Sequence, residues 1–206
     1  MELVLVRHAL PLRVAVDSGA ADPALSDQGV EQARHLADYL SSETFDAVYS
    51  SPLRRAIQTA QPIVDRSGLG LSIVDGVAEF DRHSSEYVPV EELKAANDPR
   101  WRELVENGRI GADEDDLAFR RRVINTVESL IERHSSQRIL VVCHGGVINT
   151  YLAHVLRLED DRAFFYPNYT SIHRVAAARS GERAIVTINE TSHLRGTGLP
   201  IGLHQR

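Results

Sequence analysis

Two short apolar segments, far apart in the sequence, each end in a histidine. Residues 3–6 lead into Arg7-His8, and residues 139–143 lead into His144-Gly145-Gly146. A short, continuous apolar run predicts a strand that is covered on both faces, as in the parallel sheets of α/β proteins. We therefore expect both histidines at one edge of a sheet, where two imidazoles suit chemistry on a phosphate better than they suit a core.

The rest of the chain alternates strand-like and helix-like segments, which predicts a three-layer α/β/α sandwich with a mostly parallel central sheet. We expect one domain over residues 1–206, with an insertion or cap at about 79–112 around a short helix near 90–96. Further strands are predicted at 46–49, 71–74 and, as a hairpin around Ser180-Gly181, at 171–178 and 183–188. Helices are predicted from Ser26 as N-cap to about 40, from Pro52 to about 65, at 113–134 and at 147–156.

Composition excludes several kinds of binding site. The chain has 206 residues with a formal net charge of −6, which argues against general nucleic-acid binding. Lys94 is the only lysine, so the Gly-Lys-Ser/Thr phosphate loop is excluded. An anion site must then use arginine, histidine or backbone amides, and the arginine fork binds two phosphate oxygens at once.

The single cysteine, Cys143, excludes an internal disulfide and a cysteine zinc cluster. Its place in an apolar strand predicts a buried, inert thiol. No signal peptide is recognised, and no apolar run approaches the ~20 residues of a membrane span. We expect a soluble cytoplasmic protein without membrane or nucleic-acid partners, and leave a homodimer open.

Three polar segments carry the candidate chemistry. The imidazole of His8 can attack phosphorus and form a phosphohistidine. Gly145-Gly146 allows close backbone approach and opens a helix whose amides can face an anion. Arg54-Arg55 lies in the first helical turn, where cations are unfavourable, and so indicates a compensating anion. Structural alternatives are a hydrogen-bonded strand-end histidine, a loop histidine and solvated surface arginines.

Together these segments resemble the histidine phosphatase, or phosphoglycerate-mutase-like, superfamily. The matching motifs occur in the family's order and span almost the whole chain. They are Leu5-Val6-Arg7-His8, Leu25-Ser26-Asp27-Gln28-Gly29 with Gln32-Ala33, Ser51-Pro52-Leu53-Arg54-Arg55-Ala56 with Gln58-Thr59-Ala60, and Val142-Cys143-His144-Gly145-Gly146.

The resemblance implies a phosphoglycerate-mutase-like fold and a site that uses neither metal nor cofactor. His8 would be the phosphorylated nucleophile, and Arg7, Arg55 and His144 would complete the phosphate pocket. Arg55 rather than Arg54 matches the family position directly before the alanine. Glu79 would donate the proton to the leaving oxygen, for which it needs a raised pKa. His8 must be neutral to attack, so His144 is expected to be the charged imidazole.

Two segments depart from the family pattern. Ala9 replaces the usual glycine, and residues 10–14 lack the Thr and Asn that often follow. Arg13 is a candidate partial replacement for that Asn, with a surface role as the alternative. In the altered segment 81–86, His83 or Glu86 is a candidate to share the acid role, and His83 is also a candidate to contact substrate. The alternative is that both are solvated loop residues. Asn168 resembles a supporting position near the site, and it is, with Arg13 and His83, a candidate to contact substrate.

We therefore predict a metal-independent phosphomonoester hydrolase that acts on a small phosphorylated substrate through a phosphohistidine. One alternative is a phosphoglycerate-mutase-type phosphotransferase, although the acidic insertion has few basic residues to hold a second anionic group. A second is a non-catalytic module that binds a phosphorylated ligand. A third, a metal hydrolase using His8 and His144, lacks clustered carboxylate ligands in the sequence.

Overall fold

The computed structural model of the protein describes residues 1–107, 114–158 and 164–203. Its main sheet has six strands, and four adjacent ones run parallel to one another. Their order across the sheet is Leu71–Ile73 (β4), Ala47–Ser50 (β3), Arg138–Cys143 (β6), Glu2–Arg7 (β1), Ile172–Ala177 (β7) and Arg183–Glu190 (β8). The antiparallel β7–β8 hairpin adds to β1, so the sheet is mostly parallel, as predicted.

Helices cover both faces of the sheet and confirm the three-layer architecture. Asp27–Leu40 (α1) and Arg54–Ser67 (α2) bury one core, and Asp116–Arg133 (α5) and Gly145–Leu156 (α6) bury the other. Apolar side chains alternate between the two cores along β1, which is why its sequence is continuously apolar. Within the parts of the chain that the structure describes, no helix has both the length and the apolar character needed to cross a membrane.

The pairing of β1 with β6 brings the two histidines together. Arg7 is in register with Cys143, and the amide of His8 donates to the carbonyl of Cys143 at 3.0 Å. Because the strands are parallel, both carboxyl ends reach the same edge of the sheet. The expectation drawn from the two apolar segments is therefore confirmed.

The predicted start of the second helix is wrong. Helix α2 begins at Arg54 rather than Pro52, and Leu53 occupies the N-cap without a side-chain cap. The Ser26 cap is confirmed, because its hydroxyl accepts from the amide of Gly29 at 3.1 Å.

The segment between β4 and α5 is more ordered than its sequence indicates. After a 3₁₀ turn at Asp75–Val77, it contains Glu86–Tyr87 (β5), the predicted helix Val90–Ala95 (α3) and an unpredicted helix, Pro99–Asn107 (α4). Strand β5 pairs with Val14–Ala15 (β2). Residues 108–113, which include the end of the predicted insertion and the predicted first residue of α5, lie outside the described residues. The insertion as a unit stays a prediction.

Gly29 fixes the loop that follows His8. A Cβ atom at this position would overlap the carbonyl oxygen of Leu10, which also accepts from the amide and hydroxyl of Ser26. We expect Gly29→Ala to destabilise the protein by about 1–3 kcal/mol, because the loop backbone must shift. Thermal unfolding followed by circular dichroism should show a melting temperature several degrees lower. Gly70→Ala is the matched control, since no atom lies within 4 Å of its added Cβ; equal shifts would contradict the argument.

Candidate active site

His8 is held as a neutral imidazole with one free nitrogen. Its side chain is 2% exposed, and its Nδ1 lies 2.8 Å from the carbonyl oxygen of Ala9. A carbonyl oxygen only accepts, so Nδ1 carries the proton and Nε2 keeps its lone pair. Burial, followed by the charges of Arg55 and Arg7, holds the pKa of His8 well below its usual range. The geometry therefore supplies an unprotonated Nε2 beside two cations.

His144 packs against His8, with the ring centroids 5.1 Å apart. Its Nε2 lies 2.7 Å from the hydroxyl oxygen of Ser51, in the turn before α2. Burial and the charges of Arg55, His8 and Arg7, in that order, hold the pKa of His144 well below its usual range. The prediction of a charged His144 is wrong in this structure, because a fully buried imidazole between guanidinium groups disfavours a further proton.

Arg7 is buried between two tyrosine rings. Its Cζ lies 4.3 Å from the ring centroid of Tyr169 and 5.0 Å from that of Tyr166. Its Nη1 donates to the carbonyl oxygen of Pro167 at 2.6 Å. These contacts fix the guanidinium plane at the end of β1 and support its charge through the ring faces.

Arg55 enters the same pocket from the first turn of α2. It is 1% exposed, donates to the carboxylate of Asp81 at 2.9 Å and stacks on the ring of Tyr87. Arg54 is exposed, and its backbone amide donates to Asp22. The structure thus places Arg55, and not Arg54, beside the histidines. The compensating anion expected at this helix start is, in part, the carboxylate of Asp81.

Three buried side-chain nitrogens around the histidines have no hydrogen-bond partner within residues 1–107, 114–158 and 164–203. They are Nε of Arg7, Nε of Arg55 and Nδ1 of His144. Buried polar atoms are nearly always paired, so a group of unpaired ones needs an explanation. Two guanidinium groups and an imidazole provide the donors and the charge that bind a phosphoryl group.

Glu79 approaches from the turn after β4. Its carboxylate accepts from the amides of Gly146 at 2.8 Å and Phe80 at 3.1 Å. Burial, and then the charge of Asp81, raises the pKa of Glu79 to about 7. The carboxyl group can therefore give and take a proton near neutral pH.

The second glycine of His144-Gly145-Gly146 makes room for that acid. A Cβ atom on Gly146 would overlap Oε1 of Glu79 and lie 2.9 Å from Cδ1 of Phe80. The close approach that the glycine pair predicts is thus an approach of a protein carboxylate to the start of α6.

A comparison with known proteins identifies the family. The sequence model of the histidine phosphatase superfamily (branch 1) matches residues 3–191. The chain belongs to the histidine phosphatase superfamily. It is 30% identical over 199 residues to phosphoserine phosphatase 1 of Hydrogenobacter thermophilus (strain DSM 6534 / IAM 12695 / TK-6), with 94% of each chain covered. The match confirms the predicted class of enzyme, a phosphomonoesterase of this superfamily.

Two further proteins are similar to this chain. The first, named "Probable phosphoglycerate mutase GpmB" in Yersinia pestis (strain Pestoides F), is 28% identical over 164 residues, which cover 77% of this chain and 76% of the other. The second is the crystal structure of phosphoserine phosphatase in complex with 3-phosphoglyceric acid from Entamoeba histolytica. It superposes with a TM-score of 0.72 at 25% identity and covers 94% of this chain and 98% of that chain.

The uncharged residues of the superfamily motifs support the loops of the pocket. The hydroxyl of Thr59 accepts from the amide of Ala9 at 2.9 Å, directly after His8. The side-chain oxygen of Gln32 accepts from the amide of Leu10, and that of Gln58 from the amide of Leu25, each at 2.8 Å. The first two contacts hold the backbone of Ala9 and Leu10 directly after His8.

Two candidates in the altered segments lie outside the cluster. Arg13 is 58% exposed at its side chain and pairs with Glu86 at 3.3 Å. The other carboxylate oxygen of Glu86 pairs with Arg100 at 2.8 Å. Glu86, in β5, therefore pairs with two guanidinium groups, and its share in the acid role and the pocket role of Arg13 stay predictions.

Within the described residues, the remaining two candidates have no hydrogen bond to His8. His83 is exposed, and it is a minor cause of the lowered pKa of Asp75 and of Glu114. Asn168 is fixed by its backbone, whose amide donates to the side chain of Asn189 at 2.8 Å. Asn168 directly follows Pro167, whose carbonyl holds Arg7. Its role in contacting substrate stays a prediction.

Sequence reasoning missed the residues that set the charge and walls of the pocket. Asp81 binds Arg55 and raises the pKa of Glu79. Its only sequence signal is its place two residues after the candidate acid. Tyr87 lies in β5, whereas Tyr166 and Tyr169 share the loop before β7, and only the fold brings them to the arginines.

Among the described residues, no group of three or more histidine, cysteine, aspartate or glutamate side chains could hold a metal ion. The thiol of Cys143 is buried in β6, and burial raises its pKa well above the usual range. It is an inert thiol, as predicted.

The raised pKa of Glu79 makes stability depend on pH. Its pKa of about 7 in the folded protein lies above the ordinary value of 4.5, so the folded state binds this proton more tightly. Its contribution to stability is full below about pH 4.5 and is lost as the pH rises through 7. Between pH 4.5 and pH 8, we expect the free energy of unfolding of Glu79→Gln to rise by about 3 kcal/mol relative to that of wild type. Urea unfolding at both pH values measures the difference, and an unchanged difference would contradict the assignment.

Proposed function

We propose that the enzyme hydrolyses small phosphomonoesters in two steps, through a phosphohistidine on Nε2 of His8. The observation that carries the proposal is the hydrogen bond from Nδ1 of His8 to the carbonyl of Ala9. It commits the ring to the tautomer whose Nε2 can attack, next to two buried arginines that have unpaired Nε donors. The phosphate dianion that repels most nucleophiles is then neutralised before the attack.

In the first step, Nε2 of His8 bonds to phosphorus as the bond to the leaving oxygen breaks. Arg7, Arg55 and His144 hold the phosphoryl oxygens. A neutral His144, accepting from Ser51 at Nε2, donates from Nδ1 to one of them. Protonated Glu79 gives its proton to the leaving oxygen, and the alcohol departs.

In the second step, water attacks the phosphohistidine. Glu79, now a carboxylate, takes a proton from that water while the nitrogen–phosphorus bond breaks. Inorganic phosphate leaves, and His8 regains its lone pair. One carboxyl group with a pKa of about 7 serves as acid and then as base, since both forms are populated near neutral pH.

The relatives support a small phosphorylated metabolite as substrate. A phosphoserine phosphatase is similar over nearly the whole chain, and a relative named as a phosphoglycerate mutase is similar over three quarters of it. A mutase would return the phosphoryl group to a second hydroxyl instead of water, so it remains the second candidate. The cytoplasmic location, the lack of nucleic-acid and membrane partners and the homodimer stay predictions from the sequence.

A phosphate-release screen tests the function. Purified enzyme is given phosphoserine, 3-phosphoglycerate and an aryl phosphate, with inorganic phosphate and the isomerised phosphoglycerate both measured. We expect the enzyme to release phosphate from at least one of the metabolites. We expect it to isomerise phosphoglycerate no faster than it releases phosphate. Alkaline quenching followed by mass spectrometry should find a phosphoryl group on the peptide that contains His8. Isomerisation far above phosphate release would establish the mutase, and a phosphoryl group on another residue would refute the nucleophile.

A further inference from the structure

One guanidinium group on α5 holds the backbone immediately before Glu79. Nη1 of Arg122 donates to the carbonyl oxygens of Gly76 and Ala78, both at 3.0 Å. Gly76 lies in the 3₁₀ turn, three residues before Glu79. Ala78 directly follows that turn, one residue before Glu79. One nitrogen that donates to two carbonyls of the same short turn, while the rest of the guanidinium is held elsewhere, restricts the direction in which the next residue leaves.

Arg122 is itself held in place. Its Nε donates to Glu114 at 2.9 Å, and its Nη2 binds the other carboxylate oxygen. The guanidinium also lies over the ring of Phe119, with Cζ 5.0 Å from the centroid. Its charge reaches the pocket, where it contributes to lowering the pKa of His144. Arg122 is therefore a rigid group between α5 and the site, not a solvated surface arginine.

Neighbouring residues of α5 clamp the same turn from both ends. A Cβ atom on Gly76 would overlap the side chain of Thr126, one helical turn after Arg122. At the other end, Phe80 meets Phe119 edge to face, with the ring centroids 6.0 Å apart. The backbone on either side of Glu79 is thus fixed by a single helix.

We propose that Arg122 is a positioning residue that aims the carboxyl group of Glu79 at the leaving oxygen through the carbonyls of Gly76 and Ala78. The inference rests on the proposed acid role of Glu79. A carboxyl group misplaced by about 1 Å still binds its surroundings but transfers its proton poorly, which can cost about 10²-fold in rate. The loss should fall on substrates that need protonation of the leaving oxygen.

The test compares kcat/KM, which reports the step that expels the leaving group, on two substrates. One is p-nitrophenyl phosphate, whose phenolate leaves unaided, and the other is an alkyl phosphate such as phosphoserine. For Arg122→Gln we expect about a 10- to 100-fold loss on the alkyl ester and less than about threefold on the aryl ester. Arg122→Lys, which keeps a donor and the charge, should recover part of the loss. Inhibition by vanadate should stay within about threefold of wild type in both variants.

Arg121→Gln is the matched control, because Arg121 is the exposed neighbour on the same helix and, within the part of the chain that the structure describes, donates to a carbonyl of its own helix. It should leave both rates unchanged. Circular dichroism establishes that each variant is folded at the assay temperature. If Arg122→Gln does not fold, the leaving-group dependence of Arg122→Lys decides the question.

A double-mutant cycle separates the two proposals. If Arg122 acts through Glu79, the double variant Glu79→Gln with Arg122→Gln is within about threefold of Glu79→Gln alone. Losses that multiply, or an equal loss on both esters, would overturn the positioning role and leave the acid role intact. If Glu79→Gln itself shows no dependence on the leaving group, the acid role fails and the positioning role fails with it.

Discussion

Replacing His8 with alanine should reduce the hydrolysis of an aryl phosphate by at least about 10⁴-fold, because the attacking nitrogen is lost while the cationic pocket remains. The residual rate would be that of water attack in a pocket that still binds phosphate. Initial rates at saturating substrate measure the loss. Phosphate should still protect the variant against thermal unfolding, since Arg7 and Arg55 are intact.

His154→Ala is the matched control for this substitution. His154 lies near the end of α6, half-buried beside Tyr151 and away from the carboxyl ends of β1 and β6. We expect a rate near that of wild type. Wild-type turnover in His8→Ala would refute the assignment of His8 as the nucleophile. A variant that is folded, protected by phosphate and inactive would support it, whereas a misfolded variant that has lost both activity and phosphate binding would not test it.

Replacing Glu79 with glutamine should have the second-largest effect, and its size should depend on the substrate. An alkyl phosphate needs a proton on its leaving oxygen, so kcat/KM should fall by about 10²- to 10⁴-fold. For p-nitrophenyl phosphate the fall should be less than about tenfold, because the phenolate is stable without the proton. The comparison is made by initial rates at low substrate concentration.

The pH profile provides the control within the same protein. Since the pKa of Glu79 is raised to about 7, kcat/KM of the wild type on the alkyl ester should decline as the pH rises through 7. This alkaline limb should disappear in Glu79→Gln. An equal loss on both substrates, or an alkaline limb that persists, would show that another group donates the proton.

The sequence predicts well whatever depends on strand burial and on local spacing. The apolar runs before His8 and His144 are sufficient to infer two buried parallel strands, and these prove to be adjacent. The position of Arg55 in a first helical turn is likewise a local property. Both predictions succeed because the carboxyl ends of parallel strands and the start of the following helix meet at one edge of a sheet.

The features that sequence reasoning misses depend on contacts across the fold. The charge of His144 was predicted from chemistry alone, whereas burial near Arg7 and Arg55 decides it. Asp81 acquires its role only when the turn after β4 meets α2. Helix α4 contains one proline and few apolar residues, so its periodicity gives no strong signal.

The close fit of Glu79 against Gly146 links two positions that are 67 residues apart. Any side chain at position 146 would displace the carboxylate, and no smaller residue than glycine exists to relieve the contact. In descendants of this gene, a larger residue at 146 should therefore accompany loss or relocation of the acid, in either order of substitution. Retention of the acid at position 79 during evolution thus depends on Gly146, a residue that has no functional group of its own.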